Sequence, residues 1–308
     1  MPSRLLSLLP LFVLTTVCAQ EAPRGGPADE ARAGRSGPWD NDVLVYRVAA
    51  NGTAEPMATF ERAGVPTLAR LADGRLIAAH QHFPADLGPD FDKVAVRFSK
   101  DDGRTWTGPQ VLQLTGLPEG MRFPFDPTLV PLPDGRVRLY FTSVKRQRIN
   151  ESPPTICSAI SRDGVSYEFE PGQRFGIEGR MVIDCAVALH RGVFHLFAPD
   201  NGPAGPRRDG ERPRDGVGYH ATSEDGLNFT RVADVRIEGR RHWLGNAQSD
   251  GKAITFYGTG EGIWTGTSED GVEWKPGATF MVRGADPGAA VARDGTLVLI
   301  ATSPPRRR

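Results

Sequence analysis

Apolar residues along this chain fall in short runs separated by tight polar turns, and the runs come in matched pairs. PTLARLADGRLIAAH from Pro66, PTLVPLPDGRVRLYF from Pro127, CAVALHRGVFHLF from Cys185, AQSDGKAITFYG from Ala247 and AAVARDGTLVLIATS from Ala289 each set a turn between two apolar segments. That pattern predicts a β-hairpin, so the chain holds five hairpins of one kind.

A second pattern lies between them. SKDDGRTW from Ser99, SRDGVSY from Ser161, SEDGLNF from Ser223 and SEDGVEW from Ser268 share a serine, an acidic turn, a glycine and an aromatic residue. Their starts are about 62, 62 and 45 residues apart, a period of the size repeat architectures show. Asp before Gly supplies a side chain that bonds its own turn and a residue that tolerates positive φ. Each box therefore predicts a turn between a strand ending at the serine and one opening at the aromatic residue, which packs on the sheet. Five hairpins and four boxes do not match until DVLVYRVA from Asp42 and PMATFE from Pro56 are added to the last unit. Joining first to last leaves no long exposed sheet edge. The predicted fold is all-β: a five-bladed β-propeller of four-stranded antiparallel blades, the last closed by N-terminal strands.

The boxes resemble the Asp-box, or BNR repeat, of sialidase-like propellers; SKDDGRTW does so most closely, with Ser99, Asp101, Gly103, Thr105 and Trp106 in place. In layout the chain is similar to the five-bladed glycoside hydrolases, the arabinanases, xylosidases and invertases, over residues 42–303. The resemblance implies boxes at blade corners, away from the substrate pocket, so activity has to be argued from other residues.

Composition narrows the setting. The 308 residues are too few for two propellers, and 37 basic against 37 acidic side chains make no electrostatic case for nucleic acid. Residues 1–19 read as a signal peptide, Arg4 preceding an apolar stretch at 5–17 and small residues preceding a cut at Gln20; a lipoprotein anchor through Cys18 is the alternative. That stretch is short for a transmembrane segment, and no later one reaches its length. Residues 20–39 read as a disordered linker rich in Gly, Pro, Ala and charge, 40–305 as the propeller, and Arg306, Arg307 and Arg308 as a solvated tail. Export would put Cys157 and Cys185 in an oxidising compartment, either paired or as two separate buried thiols.

A propeller gathers side chains where its innermost strands begin. Those starts read RAGVP from Arg62, RFPFDP from Arg122, RMVIDC from Arg180, RHWLGNAQ from Arg241 and RGADPG from Arg283. Asp126, Asp184 and Asp286 occupy matching places and aim at one axis from different blades. Glycoside hydrolysis needs such converging carboxylates, one protonated and one ionised, and crowding of like charge raises a pKa to make the acid. The same aspartates could instead cap turns or pair with their own blade's arginine. Arg122, Arg180, Arg241 and Arg283 would orient substrate or keep carboxylates ionised. His82, Asn201, His242, Asn246 and Gln248 add hydrogen-bonding groups for a sugar, and Trp243 is either a stacking face or core. Long loops after the second strands, at 82–93, 144–154 and 200–216, lie over the ring where specificity usually resides.

The glycosidase resemblance implies that Asp126 matches the second-blade aspartate and that Asp184 stands where a glutamate acid is expected; the first blade has Gly64-Val65-Pro66 and no carboxylate. In the sialidase resemblance Gly64 replaces the arginine before the first inner strand, so sialidase activity is not expected. The sequence thus reads as an exported, glycoside hydrolase-like protein acting on a glycan through Asp126, Asp184 and Asp286. Two alternatives stand: a non-catalytic glycan-binding or interaction propeller, and a metal-dependent enzyme using His80, His82, His220 and His242. No cofactor is predicted, the partner is a carbohydrate or another small polar substrate, and the oligomeric state is left open.

Overall fold

The computed structural model describes residues 27–145, 152–204, 213–240 and 242–306. The expected signal peptide, Arg241, Arg307, Arg308 and parts of the loops at 144–154 and 200–216 lie outside the described residues. Five antiparallel sheets follow one another as blades. From axis to rim, blade one runs Ala63–Arg70, Leu76–His82, Lys93–Ser99 and Gln110–Val111, and blade two runs Phe125–Pro131, Val137–Ser143, Thr155–Ser161 and Ser166–Phe175. Blade three runs Ala186–His190, Val193–Pro199, Val217–Ser223 and a rim strand in two pieces, Thr230–Arg231 and Val235–Arg236. Blade four runs Gly245–Ser249, Ile254–Thr259, Ile263–Ser268 and Lys275–Phe280.

Blade five is assembled from both ends of the chain. Ala285–Val291 and Leu297–Thr302 supply its inner half, Val43–Val48 and Ala54–Phe60 its outer half. Val43 pairs with Thr302 and Val48 with Leu297, so the ring closes along a full strand of backbone hydrogen bonds. The five-bladed all-β fold is as the hairpin count predicts. One blade exceeds four strands, because Gln113–Thr115 leaves blade one and lies parallel to the rim strand of blade two.

The core lies in the seams between blades. Second strands are buried on both faces, which is why they read as nearly continuous apolar runs. Ile77 and Val96 of blade one meet Leu139 and Phe141 of blade two, Tyr140 meets Leu196 and Tyr219, and Phe197 meets Trp243 and Phe256. Each such side chain, fully buried, contributes roughly 1.5–3 kcal/mol. Trp243 is fully buried among Phe256, Trp264 and Trp274, so it is core and no stacking face. Cys157 and Cys185 are both buried and unpaired.

The serine-led boxes are turns that clamp one blade to the one before it. In blade three Ser223 Oγ accepts the Gly226 amide at 2.9 Å, and Asp225 Oδ1 accepts the amides of Leu227 and Asn228 at 2.7 and 2.9 Å. With its own acceptors used inward, the turn shows its carbonyls to blade two. Arg138 Nη1 donates to Asp225 O and the Tyr140 hydroxyl to Gly226 O, both at 2.8 Å. Arg293 of blade five likewise donates to Lys100 O of the blade-one box, and His190 of blade three bonds Glu269 O of the blade-four box. Blade five carries no box, and its seam with blade four is closed by Tyr46, Val48, Tyr257, Ile263 and Leu299.

The stretch read as a linker departs from expectation in its described part. Pro27–Arg32 is a short helix, and Trp39 is buried against Phe83 and Phe91. Arg32 also bonds Leu87 O at 2.9 Å. A single apolar anchor overrides the polar composition around it. At the other end Arg306 pairs with Asp42.

Gly226 isolates the clamp experimentally. It sits at φ +71, where a Cβ would lie 2.2 Å from the Arg138 guanidinium and 2.7 Å from the Tyr140 hydroxyl, whereas Gly239 at φ +69 has nothing within 4 Å. Both alanine substitutions incur the left-handed penalty of roughly 1–2 kcal/mol; Gly226→Ala adds overpacking of roughly 1–3 kcal/mol. Urea unfolding of the two variants should show Gly226→Ala as clearly the less stable. Equal losses would mean the box does not clamp the seam.

Candidate functional site

Four of the five innermost strands begin with a left-handed corner, and the fifth begins with a glycine at φ 154°. Val65, Asp126, Asp184 and Asp286 have φ of 50°, 49°, 56° and 51°, and Gly245 holds the place in blade four. In blades one, two and five the inner hairpin shifts register at that residue, so it stands out of the ladder toward the axis. The corner amides are held from the preceding blade: Thr302 Oγ1 accepts the Val65 amide at 2.9 Å, Thr142 Oγ1 that of Asp184 at 3.3 Å, and Thr259 Oγ1 that of Asp286 at 2.8 Å. These threonines were not singled out in the sequence. Their recurrence near the ends of three second strands is the signal that could have found them.

The corners bring the three predicted carboxylates together. With Val65, Pro66, Pro127, Thr128, Cys185 and Gly245 they line a cavity of about 10 Å³, enough for one water molecule. Asp126 is 8% exposed; Asp184 and Asp286 are partly buried. Burial raises the Asp126 carboxyl to about 6, a rise limited by hydrogen bonds from the Thr142 hydroxyl and Asp184 and by the charge of Arg122. Burial pushes Asp184 well above the usual carboxylate range, and the charges of Asp126 and Asp286 add to it. Asp286 is raised by burial and then by Asp126. The result is an asymmetric pair. Asp126, with a hydroxyl and a guanidinium for support, holds the negative charge, while Asp184, flanked by two carboxylates, holds the proton and donates it to Asp126.

Two of the four predicted arginines are tied to loop carboxylates. Arg122 pairs with Asp92 on the blade-one loop, and Asp92 also accepts the Gln81 amide at 2.8 Å. Arg180 pairs with Asp200 and donates to the Tyr219 hydroxyl at 3.0 Å. The Asp200 carboxylate is fully buried and also meets Arg214 at 2.6 Å. Burial alone would raise it; bonds from Arg214, Arg180 and the Gly202 amide hold it down to about 2. Arg283 is exposed at the rim, its carbonyl accepting the Tyr46 hydroxyl, and Arg241 lies outside the described residues.

The remaining predicted residues divide by depth. Asn246 is buried, and its Nδ2 donates to Thr67 Oγ1 of blade one at 3.2 Å; Gln248 Nε2 donates to Leu68 O at 3.2 Å and to Asn246 Oδ1 at 2.9 Å. These bonds cross the central channel, so both amides act as cross-struts beneath the carboxylates. Gly288 makes room for them: a Cβ there would lie 2.8 Å from the Leu68 amide nitrogen. At the mouth, Asn201 Nδ2 and His82 Nδ1 are buried without a hydrogen-bond partner, and His242 is exposed.

The histidines do not converge. His80 is buried between Phe60 and His82 and accepts from Arg97 Nε at 3.3 Å. His220 bonds His195 at 3.1 Å and stacks on Phe197 in the seam of blades three and four. Burial lowers His80 to about 3 and His220 to about 4. Among the described residues no group of three or more His, Cys, Asp or Glu side chains is arranged to hold a metal ion.

No protein-family model matches the sequence, and no curated protein matches it. Solved structures do match. Zg3597, a family 117 glycoside hydrolase of the marine bacterium Zobellia galactanivorans, aligns at TM-score 0.52 and 12% identity over 87% of this chain and 92% of that one. A GH32 beta-fructofuranosidase of Bombyx mori aligns at 0.54 and 13% over 88% and 59%, and a Hadza microbial sialidase at 0.52 and 16% over 84% and 58%. At these identities the likeness is one of fold: this chain is a five-bladed propeller built like those of propeller glycoside hydrolases.

Proposed function

We propose that the protein is exported and acts on carbohydrate at the carboxylate end of its channel, with Asp184 as general acid, Asp126 as the ionised partner and Asp286 as the third carboxylate. The observation that carries this reading is the uneven sharing of charge within the cluster. Glycoside hydrolysis needs a carboxyl that keeps its proton near neutral pH beside one that has lost it. Burial and neighbouring charge supply the first at Asp184, and the Thr142 hydroxyl and Arg122 supply the second at Asp126. Arg283, His82, His242 and Asn201, at the rim, are the groups in reach of a sugar above the cluster. No described helix is long and apolar enough to cross a membrane, and the proposed export rests on residues 1–19.

A second reading has its own observation. Asp126 and Asp184 bond each other directly, and the blade-one corner is Val65. A hydrolytic pair stands at least about 5 Å apart to admit the sugar. Unless substrate parts the pair, the site binds glycan without turnover.

A panel of glycosides separates the two. For the hydrolase, Asp126→Asn and Asp184→Asn each lower kcat by about 10²–10⁴-fold. The wild-type rate rises with pH through about 6 as Asp126 ionises and falls at higher pH as Asp184 loses its proton. Absence of turnover across the panel, with glycan binding intact, leaves only the binding propeller.

The shared proton has a separate signature in stability. A carboxyl raised above its unfolded pKa of about 3.9 contributes stability that is fully present below that value and lost as pH rises through the folded pKa. Ionisation of the cluster therefore weakens the fold between about pH 4 and neutral pH, Asp126 ionising at about 6. Asp184→Asn removes one member, so the variant gains stability relative to wild type between those limits. Urea unfolding at both ends reads the difference, and an identical offset at the two pH values would show that Asp184 holds no extra proton.

A further inference from the structure

The channel has a second end, and the two ends differ in chemistry. Beneath the Asn246 and Gln248 struts the inner strands finish around a cavity of about 510 Å³, within the range of small-molecule pockets. Counting five residues on from each corner gives its rim in blade order: Arg70, Pro131, Leu189, Asp250 and Val291. The wall is mixed: Leu129, Val130 and Val187 are apolar, Gln248, Ser249 and Thr255 are polar, and Val291 is 48% exposed. A second cavity of about 440 Å³ shares Arg70, Pro131 and Leu189 with the first and runs outward between blades one and two past Leu71 and Leu132. Together they make an elongated trough with Arg70 at the join and an apolar stripe of Pro131, Leu132, Leu189 and Val291 along it.

Charge singles out Arg70. The other arginines of the inner hairpin turns are committed: Arg75 to Asp73 at 2.7 Å, Arg136 to Asp134 at 2.7 Å, Arg191 to the carbonyls of Gly251 and Lys252, and Arg293 to Asp102 and Lys100 O. The other rim charge, Asp250, accepts the amides of Lys252 and Ala253 in its own turn. Arg70 is exposed, and no described residue forms a hydrogen bond or ion pair with it. An uncommitted guanidinium beside an apolar stripe fits an anionic head on an apolar body, the head taking a bidentate pair of hydrogen bonds.

We propose that this trough is a binding site for a small organic carboxylate with an apolar body, the carboxylate on Arg70 and the body along Pro131, Leu132, Leu189 and Val291. It is independent of the carboxylate cluster, with which it shares no lining residue.

Calorimetric titration of the full chain with butanoate, octanoate and 3-phenylpropanoate, each beside its neutral amide, tests the site. At least one longer acid should bind one to one, its amide on the order of tenfold to a hundredfold more weakly. Arg70→Gln should weaken the acid by a similar factor and leave the amide unchanged, and Asp126→Asn should alter neither. Arg70 is exposed, so circular dichroism should show the variant folded. The proposal is overturned if none of the acids binds at millimolar concentration, if binding is non-stoichiometric, or if Arg70→Gln binds the acid as wild type does.

Discussion

The positive-φ corner that opens each inner strand, held in three blades by a hydroxyl from the blade before it, is the constraint on which the rest of the molecule depends. A non-glycine residue in this region costs roughly 1–2 kcal/mol, and Val65, Asp126, Asp184 and Asp286 all occupy it. Closure of the ring makes the conformation obligatory, since the inner strands must leave the mouth at a common angle and still pair with their second strands. The threonine contacts join that local requirement to the global one, because each spans two blades. Ring closure through Val43–Val48 thereby fixes the direction of side chains hundreds of residues away in sequence.

From that geometry the electrostatics follow. Three carboxylates converging from blades two, three and five cannot all ionise in a space the size of one water, so their protons are shared, and the unequal supply of hydrogen bonds decides where the charge rests. The arginines do not simply neutralise this cluster. Asp92 and Asp200, on the loops of blades one and three, engage Arg122 and Arg180, which leaves Arg122 near enough to bias Asp126 and leaves Asp184 without a cation. A site that keeps a proton in this way is destabilised at neutral pH, and the apolar seams and box clamps offset that cost.

What the sequence made legible follows from what is local. Hairpins, boxes and the missing fifth box depend on turn chemistry and on alternation within a few residues, so the blade count and the N-terminal closure could be read directly. The three corner aspartates were legible for the same reason, as recurrent positions after an arginine. Asn246 and Gln248 were singled out as sugar-binding groups, but their role as struts was not legible, because their partners Thr67 and Leu68 are 179 and 180 residues away and the register between blades leaves no trace in periodicity. Trp243 and His220 look the same in sequence whether they face a seam or a mouth. Trp39 shows the converse, one buried ring ordering a segment whose composition argues for disorder.

Val65 shows that the corners are set by the ring and not by the residues that occupy them. Aspartate is several-fold enriched in the left-handed region, whereas a β-branched side chain there is a genuine outlier. Were the corner a local preference of Asp-Pro, the blade-one strand would relax into an extended start at Gly64-Val65-Pro66. Instead Val65 takes φ 50°, within a few degrees of the three aspartates, with its amide on Thr302. The conformation therefore precedes the chemistry: the fold provides five inward places, and the residue in each decides whether the axis receives a carboxylate, a glycine or a methyl-bearing wall. Blade one presents the wall. With valine in blade one and Gly245 in blade four, Asp126 and Asp184 stand on adjacent blades and Asp286 stands apart on blade five, between the two uncharged corners. The uncharged corners of blades one and four thus separate the Asp126–Asp184 pair from Asp286 on both sides of the ring, which is why the pair and not the third carboxylate shares the hydrogen bond.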